Sequence, residues 1–464
     1  MNRLPQRNTE NKKNHPSTSL RTNSIPSVVP THRKRRRGLL LAQFIFSLFT
    51  FYFSLNSTVF PQTDVYLKVY TKTFQRMEID LYPLSAEVAG KDAGAVSEMI
   101  TAVLSNDLWM SGYFKVNVQS GAPPTSGSNH GSNAFAWVAG KFRVEGGQVF
   151  IQPHVVDRGS GRTILRNDYS GQLEKQRYLV HKITDDIVYN LTGERGIARS
   201  KMAFVNQKKD GSKEIALMDY DGHNSRDLTS DKSINLSPAW SPDGSKICYT
   251  SYKDGNPDLY VFNLQTNLRT RVSNMQGLNS APAWSPDGSS IALTLTKDGN
   301  AEIYLLDVEK KKLKRLTYNR AIDCSPSWSP SNRELVFTSD RSGSPQIYIM
   351  DSDGLNMRRL TFEGNYNDSP IWSPRGDKIA FASRSDTGFD IYTIDVTGEN
   401  LMRLTDSSGS NEDPSWSPNG FALIFSSTRG GRKALYSMFW DGSDQKELPS
   451  SGINYLPAWS PRLN

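Results

Sequence analysis

Short apolar runs separated by turn residues dominate the second half of the chain, and they recur. After Trp284 come Ser289–Thr296, Glu302–Val308 and Leu313–Thr317, rich in Ile, Leu, Tyr and Thr and separated by turn formers such as Asp298-Gly299-Asn300; Asp287-Gly288 precedes the first. Runs of this length between turn formers predict strands. Each unit opens on Pro-x-Trp-Ser-Pro, at Pro238, Pro282, Pro326, Pro370, Pro414 and Pro457, and the Trp spacings are 44, 44, 44, 44 and 43 residues. Periods of about 40–50 residues belong to propeller blades or to helical arrays. No segment within the unit has the length or the 3.6-residue period of a helix. The unit is therefore a four-stranded blade, counting the Pro-x-Trp strand, and the array is an all-β propeller.

The ends give the copy number. Five units are complete from Trp240 to about Leu456, while Met202–Val205, Glu214–Asp219 and Arg226–Thr229 read as three strands lacking a Trp strand, and Ala458-Trp459-Ser460 is a Trp strand lacking the other three. Together they make a sixth blade, in which the C-terminal strand closes the first blade and removes the free sheet edges of an open array. The expected propeller spans 197–464. Each Trp reads as an apolar wedge between neighbouring blades.

Upstream the pattern changes to mixed α/β. Arg76–Pro83 and Tyr113–Val118 read as strands flanking a helix at about Asp92–Trp109, and Phe142–Asp157 as a hairpin through Gly146-Gly147. Gly121–Asn133 is a Gly/Ser/Pro loop. A second helix over about Glu174–Leu191 places Leu179, Ile183, Ile187, Val188 and Leu191 on one face and ends at Thr192-Gly193. The whole predicts an N-terminal α/β domain, 61–196, followed by the six-bladed propeller.

Charge sharpens the reading of the N-terminus. The chain of 464 residues carries 55 Lys+Arg and 47 Asp+Glu, but ten of those bases and only one acid fall in residues 1–60, leaving 45 and 46 in the body. A nearly neutral body lacks the electrostatic footprint of a nucleic-acid binder. Residues 1–38 form a polar, basic leader expected to be disordered. The run Arg33–Arg37 then meets the uncharged, Leu- and Phe-rich stretch Leu39–Leu55, within an export-signal segment at 39–60. That is the order of an export signal. It reads as a cleaved signal or as an uncleaved inner-membrane anchor, and either way the body is exported. The first cysteine is Cys248, so lipid attachment through an N-terminal Cys is excluded, and Cys248 and Cys324 fall in different blades, too far apart in the pattern to bridge.

The order of parts resembles the TolB family, periplasmic components of the Tol-Pal cell-envelope system. The resemblance covers about 64–464. It rests on the blade openings at Trp240, Trp284, Trp372 and Trp416, on the blade ends Arg315–Thr317, Arg359–Thr361 and Arg403–Thr405, on the passage Ser105–Phe114, and on the helix Arg177–Leu191 running into Thr192-Gly193-Glu194-Arg195-Gly196. The chain departs from the family in its long basic N-terminus, its poor cleavage site and the altered blade opening Ser329-Pro330-Ser331-Asn332.

Catalytic signatures are missing. A propeller-gated serine hydrolase needs a Gly-x-Ser-x-Gly elbow, and none occurs. The six histidines show no metal-ligand spacing, and His181 reads as a helix-surface or packing residue. Asp219-x-Asp221-Gly and Asp351-x-Asp353-Gly imitate calcium loops but carry Ser230 and Phe362 where the closing Glu belongs, so they read as hairpin turns. No cofactor, metal, nucleic acid or small-molecule substrate is expected, and the protein is expected to be a monomer and not an enzyme.

What remains is a surface. Five residues before each blade Trp stands Asn235, Asn279, Asp323, Asn367, Asn411 or Asn454, an Asn/Asp ring expected to make Asx-type turns in the loops entering the Trp strands. The residues that follow vary: Leu236-Ser237, Ser280-Ala281, Cys324-Ser325, Asp368-Ser369, Glu412-Asp413 and Tyr455-Leu456. A rim mixing carboxylates with Leu and Tyr suits a protein partner. The resemblance implies that this mouth docks the peptidoglycan-associated lipoprotein Pal, and that the segment around Asp64, Val65, Tyr66, Leu67 and Lys68 engages the inner-membrane protein TolA. That segment alternates well enough to add to a partner sheet, and reads equally as the first strand of the α/β domain. The implied role is a non-enzymatic adaptor supporting outer-membrane integrity and cell division. A second reading is an exported hydrolase or sugar-binding protein with a similar propeller.

Overall fold

The computed structural model describes residues 75–88, 93–124, 132–406 and 409–463. The leader, the hydrophobic segment and the Asp64–Lys68 segment lie outside them.

The α/β part is a seven-stranded sheet: β1 (Met77–Leu81), β2 (Ser85–Ala86), β3 (Phe114–Val118), β4 (Ala136–Glu145), β5 (Gln148–Asp157), β6 (Thr163–Arg166) and β7 (Tyr169–Gln172). The order is β3-β1-β4-β5-β6, with β2 on β4 and β7 on β5. Helix α1 (Ala93–Met110) carries the chain from β1 to the parallel β3. Helix α2 (Gln176–Thr192) ends where Gly193 adopts φ 75° and returns its N–H to Tyr189 O, a left-handed cap glycine accepts easily. Ile100, Val103, Leu104 and Leu108 of α1 and Leu179, Val180, Ile183, Ile187 and Val188 of α2 pack with Ile79, Leu81, Val138 and Val155 of the sheet in one core. Leu191 joins it half-buried. The hairpin turns through Gly146 and Gly147, both at positive φ, but its strands are longer than the pattern suggested, and β2, β6 and β7 were not foreseen.

Six four-stranded sheets follow. In the first, Arg226–Asp227, Lys213–Asp219 and Lys201–Gln207 are completed by Ile453–Trp459, antiparallel to Lys201–Gln207, so the ring closes through the C-terminus as the orphan strands imply. The Trp strands are Asn235–Trp240, Asn279–Trp284, Asp323–Trp328, Asn367–Trp372, Asn411–Trp416 and Ile453–Trp459, and each touches the next around the ring. The wedges also donate: Trp240 Nε1 to Ala458 O (3.0 Å), Trp328 to Ala283 O (3.1 Å) and Trp416 to Ile371 O (3.2 Å), in each case across to the preceding blade. The Arg-Leu-Thr ends are structural as well. Thr317, Thr361 and Thr405 accept the N–H of Ile303, Ile347 and Ile391 at 2.9–3.0 Å, tying the outer strand to the third.

Where the other blade openings place glycine at positive φ (70° at Gly244, 73° at Gly288), the altered one has Asn332 at φ 63°, and Asn tolerates that region better than most residues. The two parts meet at the α1–β3 corner. Asn419 of the last blade donates to Ser111 O at 2.8 Å, and Gly112, at φ 80°, lies so close to Phe421 that an added Cβ would sit 2.5 Å from that ring's Cβ.

Candidate partner-binding site

The variable residues sit in the innermost strands, not in loops. Asn235 pairs with Ser251 and Leu236 with Thr250, but Ala239 pairs with Cys248, so Ser237 and Pro238 together face the single residue Tyr249. This is a β-bulge, repeated in the other five Trp strands. Its second variable residue has positive φ every time: Ser237 53°, Ala281 48°, Ser325 55°, Ser369 54°, Asp413 56° and Leu456 50°. All twelve variable residues are half-buried, in contrast to the buried Asn or Asp before them. Nothing in the alternation of residue types announces a bulge, which is why sequence reasoning placed these residues in loops.

The Asn/Asp ring is likewise in strand and buried; its side chains bond into the linker before the strand, as at Asn279 to Gly277 O and Asn454 to Ser451 O, and at several positions also to a neighbouring blade. Asn235 Nδ2 donates to Lys213 O and Glu214 Oε2, both at 3.0 Å, in the blade before it. Asn279 Oδ1 accepts from Ser273 Oγ at 2.7 Å, and its Nδ2 donates to Met275 O and Pro257 O at 2.7 and 3.0 Å. Asn411 Nδ2 reaches Asp390 Oδ1 at 3.1 Å, while Asp323 takes both oxygens to Arg341 at 2.8 and 2.9 Å. With these groups committed to the fold, the variable neighbours are what the mouth offers.

The mouth is electrostatically uneven. Glu412 accepts from Lys433 Nζ at 2.9 Å and from Ser410, and Asp413 lies 3.9 Å from the same ammonium. Burial pushes Glu412 up, but the Ser410 and Lys433 hydrogen bonds hold it below the ordinary carboxylate range. Burial dominates at Asp413 and raises it. Lys433 also lies 5.2 Å from the Tyr455 ring centroid, so one corner gathers two acids, a lysine and an aromatic face. Asp368 accepts from Thr338 at 2.8 Å. Burial and the Asp368 charge push the Cys324 thiol up to about 12, which keeps it protonated and a poor nucleophile. Both cysteines are free thiols. Leu236, Ser237, Ser280 and Ala281 are uncharged.

Sequence reasoning missed the outer part of the same face. Tyr318 and Phe362, 72% and 74% exposed, follow the Arg-Leu-Thr ends in the loops leading to the next Trp strand. Arg315 and Arg359 lie over their rings at 4.7 and 4.9 Å. The signal was an aromatic directly after Arg-Leu-Thr.

A second cluster, between the α/β part and the first blade, decides the two readings of His181 in favour of packing over helix surface. The ring is buried on α2, its Nδ1 2.7 Å from Asp107 Oδ2 and its Nε2 3.6 Å from Asp221 Oδ2. The turn at Asp219–Gly222 is the expected hairpin turn, yet it delivers a buried carboxylate. Ligand atoms of Asp107, His181 and Asp221 lie within 4.8 Å of one another, a proximity that spacing did not reveal. Every carboxylate oxygen there is already engaged, however: Asp107 by His181, Thr184 and Tyr220, and Asp221 by Arg177 and His223. With Arg177 as countercharge, this is an ion-pair network.

A family model described as the TolB beta propeller domain matches residues 188–463. The Tol-Pal system protein TolB of Geobacter sulfurreducens is 39% identical over 203 residues, 42% of this chain and 46% of the relative. That of Desulfosudis oleivorans is 41% identical over 130 residues, 28% of this chain and 30% of the relative. The chain thus spans less than half the length of these curated relatives. The crystal structure of TolB from Acinetobacter baumannii superposes with a TM-score of 0.72 at 29% identity, covering 83% of this chain and 97% of that one. The chain belongs to the TolB β-propeller family.

Proposed function

We propose that this protein is a non-enzymatic adaptor of a Tol-Pal envelope system, exported to the periplasm, that binds the lipoprotein Pal at the propeller mouth and TolA through the segment around Asp64–Lys68. The division of labour follows the sequence: leader and export segment to residue 60, α/β domain over 61–196, propeller over 197–464. The observation that carries the reading is the mouth. Six bulged strands bring six differing residue pairs to one axis, half-buried and uneven in charge, while the repeated Asn/Asp and Trp positions are committed to the fold. A uniform structural ring needs no such variation; a protein-binding face does, with apolar and aromatic anchors inside a polar rim.

The test has two arms. N-terminal sequencing of the exported protein locates the mature start, and the purified protein is titrated with the periplasmic domain of Pal and, separately, with TolA lacking its membrane anchor. Saturable binding of both supports the adaptor; binding of neither, or turnover of ester, peptide or glycoside substrates, contradicts it.

A further inference from the structure

We propose that His181 is a proton-operated bolt between the α/β domain and the blade that closes the propeller, holding the two together while its ring carries two N–H donors and loosening them when one proton is lost. The ring is 1% exposed and lies between two carboxylates on different elements: Asp107 of α1 at 2.7 Å from Nδ1, and Asp221 of the first blade at 3.6 Å from Nε2. Nε2 has no hydrogen-bond partner. A neutral imidazole has one donor and one lone pair, so in either tautomer a lone pair faces a buried carboxylate. The imidazolium presents a donor to both.

The surrounding charges leave this role to His181. Arg177, on its own helix, pairs with Asp221, and Arg199 holds Asp185 at 2.9 Å. Lys446 of the last blade donates to Asn106 at 2.9 Å, and burial pushes its ammonium below the ordinary range. Tyr220 and His223 of the first blade complete the set, Tyr220 donating to Asp107 and His223 lying beside Asp221. Among the described residues, Asp107 has no Lys or Arg at ion-pair distance; its countercharge is His181. The bolt also abuts the ring closure, because Tyr220 stacks on Trp459 at 6.3 Å and Trp459 Nε1 donates to Ser200 at 2.8 Å.

Burial pushes His181 down, but Asp107 and Asp221 outweigh it and hold the ring above its ordinary value of 6.5. A raised folded-state value gives stabilisation that is complete below 6.5 and is lost as pH climbs through the raised value. The bolt is therefore shut in mildly acidic solution and opens on the alkaline side.

The experiment follows thermal melting of the full-length chain between about pH 5 and about pH 9 for the parent, His181→Gln and His223→Gln, with an NMR titration of the parent's imidazoles. The expected result is a His181 resonance titrating above 6.5. Over the same range the parent's melting advantage over His181→Gln shrinks towards nothing, while His223→Gln tracks the parent. A His181 resonance titrating at or below 6.5 overturns the proposal, as does an unchanged pH dependence in His181→Gln. If His181→Gln does not fold, the parent titration alone decides.

Discussion

The indole nitrogen of Trp240 donates to the carbonyl of Ala458 at 3.0 Å, across 218 residues of chain. The bond joins the second blade to the C-terminal strand of the first, so the wedge that separates two blades also fastens the ring at its seam. Deleting 450–464 removes this acceptor, the Trp459 wedge and the partner of Lys201–Gln207, leaving a bare sheet edge. The truncated protein is expected to lose several kcal/mol and to aggregate, read by thermal melting and light scattering. Melting and solubility equal to the parent's would show that closure contributes nothing.

The ring was legible in the sequence because a period of 44 residues with one Trp per unit leaves little freedom, and because Trp459 lacked the three strands that 202–229 supplied. The partners within it were not. Asn235 reads as a turn former locally, but its Nδ2 donates to Lys213 O and Glu214, 22 and 21 residues earlier in another blade. His181 meets Asp107 and Asp221 only because two helices and a hairpin turn converge, and no local spacing encodes that. The bulges escaped for a related reason: they are set by pairing register, which residue type reports poorly.

Asn279→Ala separates the structural ring from the binding surface. The substitution strips partners from Ser273, Met275 N–H and Pro257 O in a buried site, and is expected to cost about 2–3 kcal/mol in thermal or denaturant unfolding. Affinity of the folded fraction for its partner should not change.

Gly112→Ala addresses the contact between the two parts. It places a methyl 2.5 Å from Phe421 Cβ and forces a side chain to φ 80°, an overpacking and a strained backbone together worth about 2–4 kcal/mol. A melting temperature within error of the parent's would mean that the corner yields freely.

The blade openings carry an acid-side dependence. Hydrogen bonds from Ser285, then from the Ser289 N–H, hold Asp287 down to about 2. A depressed carboxylate contributes stability that is present above its ordinary 3.8 and is lost as pH falls through the folded value. Asp287→Asn should therefore be less stable than the parent at neutral pH, with the gap closing as pH falls and gone only below about 2. A gap that does not change with pH would assign the effect to packing.

The mouth is tested most directly by calorimetric titration of Pal's periplasmic domain against the parent, Ser280→Arg and Lys312→Glu. Ser280 is half-buried at the mouth, and Lys312 lies in the hairpin turn on the opposite face, so each charged change probes one side. The expected result is a loss of at least about 1–2 kcal/mol in Ser280→Arg with melting unchanged, and parent-like binding in Lys312→Glu. Parent-like affinity in Ser280→Arg together with a loss in Lys312→Glu would place the contact on the other face and contradict the assignment of the mouth.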